Sequence, residues 1–92
     1  MKLSDDAILR GLATLPAWQR DGNEIVRTYD RRDFNGSVAF VNAIAAAANA
    51  ADHHPDLLLS WNRVTVRLSS HDAGGITERD LRLAAQIDAL AT

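Results

Sequence analysis

The sequence predicts an α+β fold, an antiparallel four-stranded sheet with helices on one face, in the order α-β-β-α-β-β-α. Three observations predict it. Three stretches have apolar residues at helical spacing behind residues able to cap a helix. Two pairs of strand-like segments are each broken by turn residues. An alanine-rich helical stretch separates the two pairs. Hairpins divided by a helix bury one face of a shared sheet beneath the helices.

The first helix is capped by Ser4; Asp5 and Asp6 suit its positive N-terminal end, and Ile8, Leu12 and Leu15 fall on one face. Pro16 stops it. Residues 18–20 and 24–29 flank Asp21-Gly22, a pair favoured in hairpin turns because both tolerate positive φ. In the second of these strands Ile25, Arg27 and Tyr29 share one face, Val26 and Thr28 the other.

The middle helix begins near residues 33–35, with Asp33 or Asn35 as its cap. Val38, Val41, Ala45, Ala48 and Asp52 form its expected inner stripe, with Phe34 and Ile44 nearby. Its alanines favour helix and permit close packing on a sheet or a partner helix. Pro55 marks the end, so His53-His54 sits where the helix breaks. Leu57-Leu58-Leu59 and residues 63–70 are strands, the latter burying Val64, Val66 and Leu68 and turning Arg63, Thr65, Arg67, Ser69 and His71 the other way. Gly74-Gly75 ends it. Thr77-Glu78-Arg79-Asp80 then opens the last helix as a capping box, with Asp where Glu is usual, ahead of the stripe Leu83, Ala84, Ile87, Leu90 and Ala91.

Composition narrows the function. A chain of 92 residues forms one domain over 1–92, small enough to gain from oligomerisation. The net charge is −2 and the ten Lys and Arg residues are scattered, which argues against nucleic acid. Having no cysteine, the chain lacks disulfides, thiolate metal sites and thiol nucleophiles. No secretory leader is legible at the N-terminus, and the apolar run at residues 43–48 is too short to span a bilayer. A soluble, cytoplasmic protein without a membrane partner is expected.

The three histidines all fall at element ends, His53 and His54 after a helix and His71 after a strand. Histidine is the side chain suited to moving protons near neutral pH, although solvated turn residues have the same placement. A three-histidine zinc site is disfavoured, since adjacent side chains diverge and no His-x-His or His-x-x-x-His spacing is present. Asp80 is expected to cap its helix or to aim a carboxylate at a ligand. Trp61 is expected to pack beside the sheet; Arg63, Arg67 and Arg79 are expected to be solvated or paired.

Asp52-His53-His54-Pro55, five residues, Trp61, nine residues, His71, eight residues, Asp80 resembles the signature of the pterin-4a-carbinolamine dehydratase family. Asp33-Phe34-Asn35 with Phe40, and residues 75–80, look like that family as well. The resemblance implies a lyase without metal or bound cofactor that converts 4a-hydroxytetrahydropterin to quinonoid dihydropterin and water. Such a reaction restores the pterin after an aromatic amino-acid hydroxylase has turned over. It implies His53, His54 and His71 as catalytic residues, with acid and base unassigned, and Asp52, Ser69, Ser70 and Asp80 as residues bordering the pterin. It also implies a homodimer or homotetramer built by pairing sheets edge to edge.

Two positions depart from the family pattern. Asn49 stands four residues before His53, where an ionisable residue is usual; it is expected to orient His53 without adding charge, giving a slower enzyme. Leu57 replaces a common aromatic residue. The competing expectation is a family member that has lost activity and serves as a protein-binding or assembly module.

Overall fold

The computed structural model describes all of residues 1–92. The elements are α1 (Asp5–Ala13), β1 (Gln19–Asp21), β2 (Glu24–Asp30), α2 (Phe34–Ala51), β3 (Asp56–Ser60), β4 (Arg63–Leu68), a 3-10 turn (His71–Ala73) and α3 (Glu78–Leu90). The four strands form one antiparallel sheet in the order β1-β2-β4-β3. This is the α+β arrangement and element order that the sequence predicts.

One core joins sheet and helices. Ile25, Tyr29, Val64, Val66 and Leu68 from the sheet pack with Ile8, Phe40, Ile44, Leu83, Ala84 and Ile87 from the three helices. Each large side chain buried there contributes about 1.5–3 kcal/mol. The period-two alternation of β4 is as expected, and Ile25 and Tyr29 lie on the core face of β2. The opposite face of the sheet carries no helix. No helix is long and apolar enough to cross a membrane.

Caps form where the sequence places them. The Ser4 hydroxyl accepts from the Ala7 amide at 3.2 Å, and Asp33, not Asn35, caps α2 by accepting from the Gly36 amide at 2.7 Å. Thr77 and Asp80 make the capping box.

Four expectations are corrected. The first hairpin turns on Gly22-Asn23, because Asp21 already pairs with Glu24; Gly22 takes the positive φ of 62°. Helix α2 buries Ser37, Phe40, Ile44 and Ala48, while Phe34, Val38 and Ala45 face outward. No residue of α2 is charged, so its apolar pattern has no single direction, and the bulk of Phe40 and Ile44 selects the inner face. Ser37 can be buried because its hydroxyl donates to the Asp33 carbonyl at 3.1 Å. Trp61 does not pack beside the sheet; it is 67 % exposed at the β3–β4 turn, with a φ of 49°. Helix α2 also ends at Ala51, before the histidine pair, for a reason that shapes the site.

Candidate active site

The strand registers bring the candidate residues to one end of the sheet. Asp56 pairs with Arg67, so His53-His54 lies just before that pairing on one strand and Ser69-Ser70-His71 just after it on the neighbour. On the other side of β4, Ile25 pairs with Leu68, so Glu24 comes level with Ser69. Helix end, strand end and hairpin turn therefore meet at one sheet end.

Asp52 directs the two histidines. It adopts the left-handed conformation, φ 51° and ψ 42°, as the residue just past the helix. The His53 amide donates to the Ala48 carbonyl at 3.1 Å, and the Asp52 amide to the Asn49 carbonyl at 3.3 Å. This pair of bonds is the Schellman closure, which glycine usually makes; aspartate is among the few other residues that visit this conformation. The reversal turns His53 inward and leaves His54 outside.

His53 is 9 % exposed, and its Nε2 lies 2.6 Å from Oδ1 of Asp80, which is fully buried. The other oxygen of Asp80, Oδ2, accepts from the Ser70 hydroxyl and from the Thr77 amide, each at 2.9 Å. Since Ser70 spends its proton on Asp80, the Thr77 hydroxyl donates to Ser70 across 2.7 Å, and it accepts from the Arg79 amide at 3.2 Å. With Asp80 accepting at both oxygens, the His53 Nε2–H donates and its Nδ1 is left for other work. When His53 carries a second proton the contact is an ion pair.

His54 is exposed, and its Nε2 lies 2.9 Å from Oδ1 of Asn49. The expected pairing of Asn49 with His53 is thus corrected to His54. The helical i, i+4 relation does not extend past Asp52, where the chain reverses. A carboxamide oxygen only accepts, so His54 Nε2 bears the proton and its Nδ1 the lone pair.

His71 opens the 3-10 turn and is exposed. It shares an open hollow with Asn23, Glu24, Ser69, Gly74 and Gly75. Next to it, Asp72 meets Arg79 at 2.7 Å, and that hydrogen bond holds the Asp72 carboxyl below its ordinary range. Arg79 in turn lines a small hollow with His53, Ala51, Arg82, Leu83 and Gln86.

The structure thus links His53, Ser70 and Asp80 directly and puts Ser69 with His71. Asp52 is exposed at the helix end. Asp80 and Ser70, expected beside a ligand, have their side-chain polar atoms inside the protein, where they engage one another. Sequence reasoning missed Thr77 as a link in this chain, and Asn23 and Glu24 at the hollow. The strand alternation that puts Ser69 opposite the core face was the available signal for Glu24. No three metal-ligating side chains converge anywhere in the molecule.

Known proteins supply the context. A family model described as pterin 4 alpha carbinolamine dehydratase matches residues 1–90. The chain belongs to this family. Among its relatives, a protein of Thermosynechococcus vestitus, provisionally named a pterin-4-alpha-carbinolamine dehydratase, is 50 % identical over 98 % of this chain and 95 % of its own. One of Nocardia farcinica with the same provisional name is 49 % identical over 97 % and 94 %. The crystal structure of a transcriptional coactivator/pterin dehydratase from Brucella melitensis superposes with a TM-score of 0.96 at 31 % identity, covering 100 % of both chains. A pterin dehydratase-like protein described as a RuBisCO assembly factor in the alpha-carboxysome shares the fold, with a TM-score of 0.66 at 24 % identity over 80 % of this chain and 86 % of that one.

Proposed function

We propose that this pterin dehydratase family member removes water from 4a-hydroxytetrahydropterin, giving quinonoid dihydropterin, through His53, His54 and His71. The observation that carries the reading is the unlike partnering of the two adjacent imidazoles. A proton on His53 faces the buried carboxylate of Asp80 as counter-charge, whereas His54 meets the neutral oxygen of Asn49.

The reaction asks for that difference. The C4a–O bond breaks with its electron pair going to oxygen, which needs an acid. The N5–H bond gives its proton to a base, and its electrons form the C4a=N5 double bond. His53 with Asp80 supplies the acid, and His54 through its free Nδ1 supplies the base. His71 faces the ring from the strand end, and Asp52, Ser69 and the backbone of Ser70 border it, the Ser70 hydroxyl being turned inward to Asp80. Asp80 is too deeply buried to meet the pterin and acts by positioning His53. Neither metal nor bound cofactor enters this scheme, and the role is tetrahydropterin recycling in the cytoplasm.

The test is a dehydration assay with 4a-hydroxytetrahydropterin on the wild type and on His53→Ala, His54→Ala and His71→Ala. Each substitution of a working acid or base should cost about 10²- to 10⁴-fold. A wild type that gives no acceleration overturns the proposal. The second reading, an assembly module, is favoured in that event by Trp61, which is 67 % exposed at the β3–β4 turn. Under either reading the chain forms a homodimer or homotetramer, with β3 as the pairing edge.

A further inference from the structure

Glu24 and Asn23 have no part in the scheme above, yet they line the same hollow as His71 and Ser69. Glu24 begins β2 just outside its last pairing with β4, level with Ser69, on the face of the sheet away from the helices. On the other side of Ser69 comes the segment carrying His54. Two interstrand spacings, about 10 Å, therefore separate the Glu24 and His54 strands. A flat bicyclic ring laid across Ser69 reaches from one to the other.

The Glu24 carboxylate is poised for a ligand on one side only. Its Oε1 accepts from Arg67 at 3.3 Å, a long contact, because Arg67 makes its shorter bond of 2.9 Å to Asp21. No protein donor meets Oε2. Beside it Gly75 is buried against the Lys2 side chain, which a Cβ there would approach to 2.8 Å. No apolar side chain lines the hollow, so it suits the polar edge of a ring.

A pterin has such an edge. Its N3–H and its 2-amino group are adjacent donors in one plane, spaced to meet the two oxygens of a carboxylate. We infer that Glu24 reads the aminopyrimidinone edge of the substrate, fixing the ring so that C4a and N5 lie toward the three histidines at that end of the sheet. The inference rests on the dehydratase reading and adds a specificity-determining residue to it.

The experiment uses two unreactive ligands, pterin itself and its 2,4-dioxo analogue, in which a carbonyl replaces the 2-amino donor. Both are titrated by fluorescence into the wild-type protein and into Glu24→Gln. Glu24 is at the surface, so circular dichroism should show the variant folded. The wild type should prefer pterin to the dioxo analogue, and Glu24→Gln should reduce that preference about ten- to hundred-fold, the worth of one or two charge-assisted hydrogen bonds. A structural role of Glu24 would weaken both ligands together and leave the ratio unchanged. If the wild type binds pterin and the ratio is unmoved in Glu24→Gln, the inference is overturned while the dehydratase reading stands. If the wild type binds neither ligand, both are overturned.

Discussion

At the scale of single residues, two neighbouring histidines acquire opposite environments from one backbone reversal. Asp52 takes a conformation that costs most side chains about 1–2 kcal/mol, and residues held this way cluster at functional sites. The unlike partners make an asymmetric prediction. Asp80→Asn keeps the shape of the buried network but removes the counter-charge at His53, and it should lower kcat about 10- to 100-fold, as partners of working groups commonly do. Asn49→Leu removes only a neutral hydrogen bond at His54 and should cost about three- to tenfold. Steady-state kinetics on both variants, with circular dichroism to confirm folding, read the contrast; equal losses would remove the division of labour. The histidines themselves were legible from their intervals to Trp61, His71 and Asp80. The partner of each was not, because helical spacing assigns Asn49 to His53 and gives no sign that Asp52 turns the chain back.

At the scale of elements, local chemistry was read well and direction poorly. Ser4, Asp33 and the Thr77–Asp80 box cap their helices because capping needs only a few consecutive residues. Alternation named the buried face of β4 because charged and hydroxyl residues mark its other side. Helix α2 has no charged residue to mark an outside, so the inward face was decided by packing that a sequence does not display. Strand β3 raises a different question, since it pairs only with β4 and leaves its outer backbone groups free. Its centre, Leu58, is 63 % exposed within Leu57-Leu58-Leu59. A second copy adding antiparallel to this edge, about a twofold axis at Leu58, would satisfy those groups and build a continuous eight-stranded sheet. Leu58→Glu would then set like charges opposite each other, and it should weaken association at least tenfold, about 1.4 kcal/mol. Sedimentation at graded concentrations measures this; a wild type that stays monomeric at tens of micromolar excludes the edge pairing.

At the scale of the whole molecule, the end of the fold away from the histidines is tied by one carboxylate oxygen. Oδ1 of Asp88 on α3 accepts from the Trp18 indole at 2.9 Å, from Arg27 at 2.7 Å and from the Tyr29 hydroxyl at 2.5 Å. These bonds fasten the segment before β1, and β2 itself, to the last helix, and Arg27 also lies 4.2 Å over the Tyr29 ring. The sequence placed Tyr29 only on one strand face with Ile25 and Arg27; that its hydroxyl reaches a residue 59 positions later depends on how α3 crosses the sheet. Burial raises the Tyr29 phenol above its usual pKa, the hydrogen bond to Asp88 and the charge of Asp88 add to the effect, and Arg27 opposes it. The sign of the pH dependence follows. The folded protein holds the neutral phenol while the unfolded chain releases its proton near pH 10, so this contribution is intact below pH 10 and declines as pH rises beyond it. Tyr29→Phe loses the hydrogen bond and should be less stable at pH 7 by about 1.5–3 kcal/mol, the range for a bond to a charged acceptor. It should also lose less stability than the wild type between pH 10 and 11.5, since it has no phenol there to ionise. Urea unfolding of both proteins at pH 7, 10 and 11.5 measures the two effects together. Parallel declines would show that the Tyr29 proton is not what couples this knot to pH.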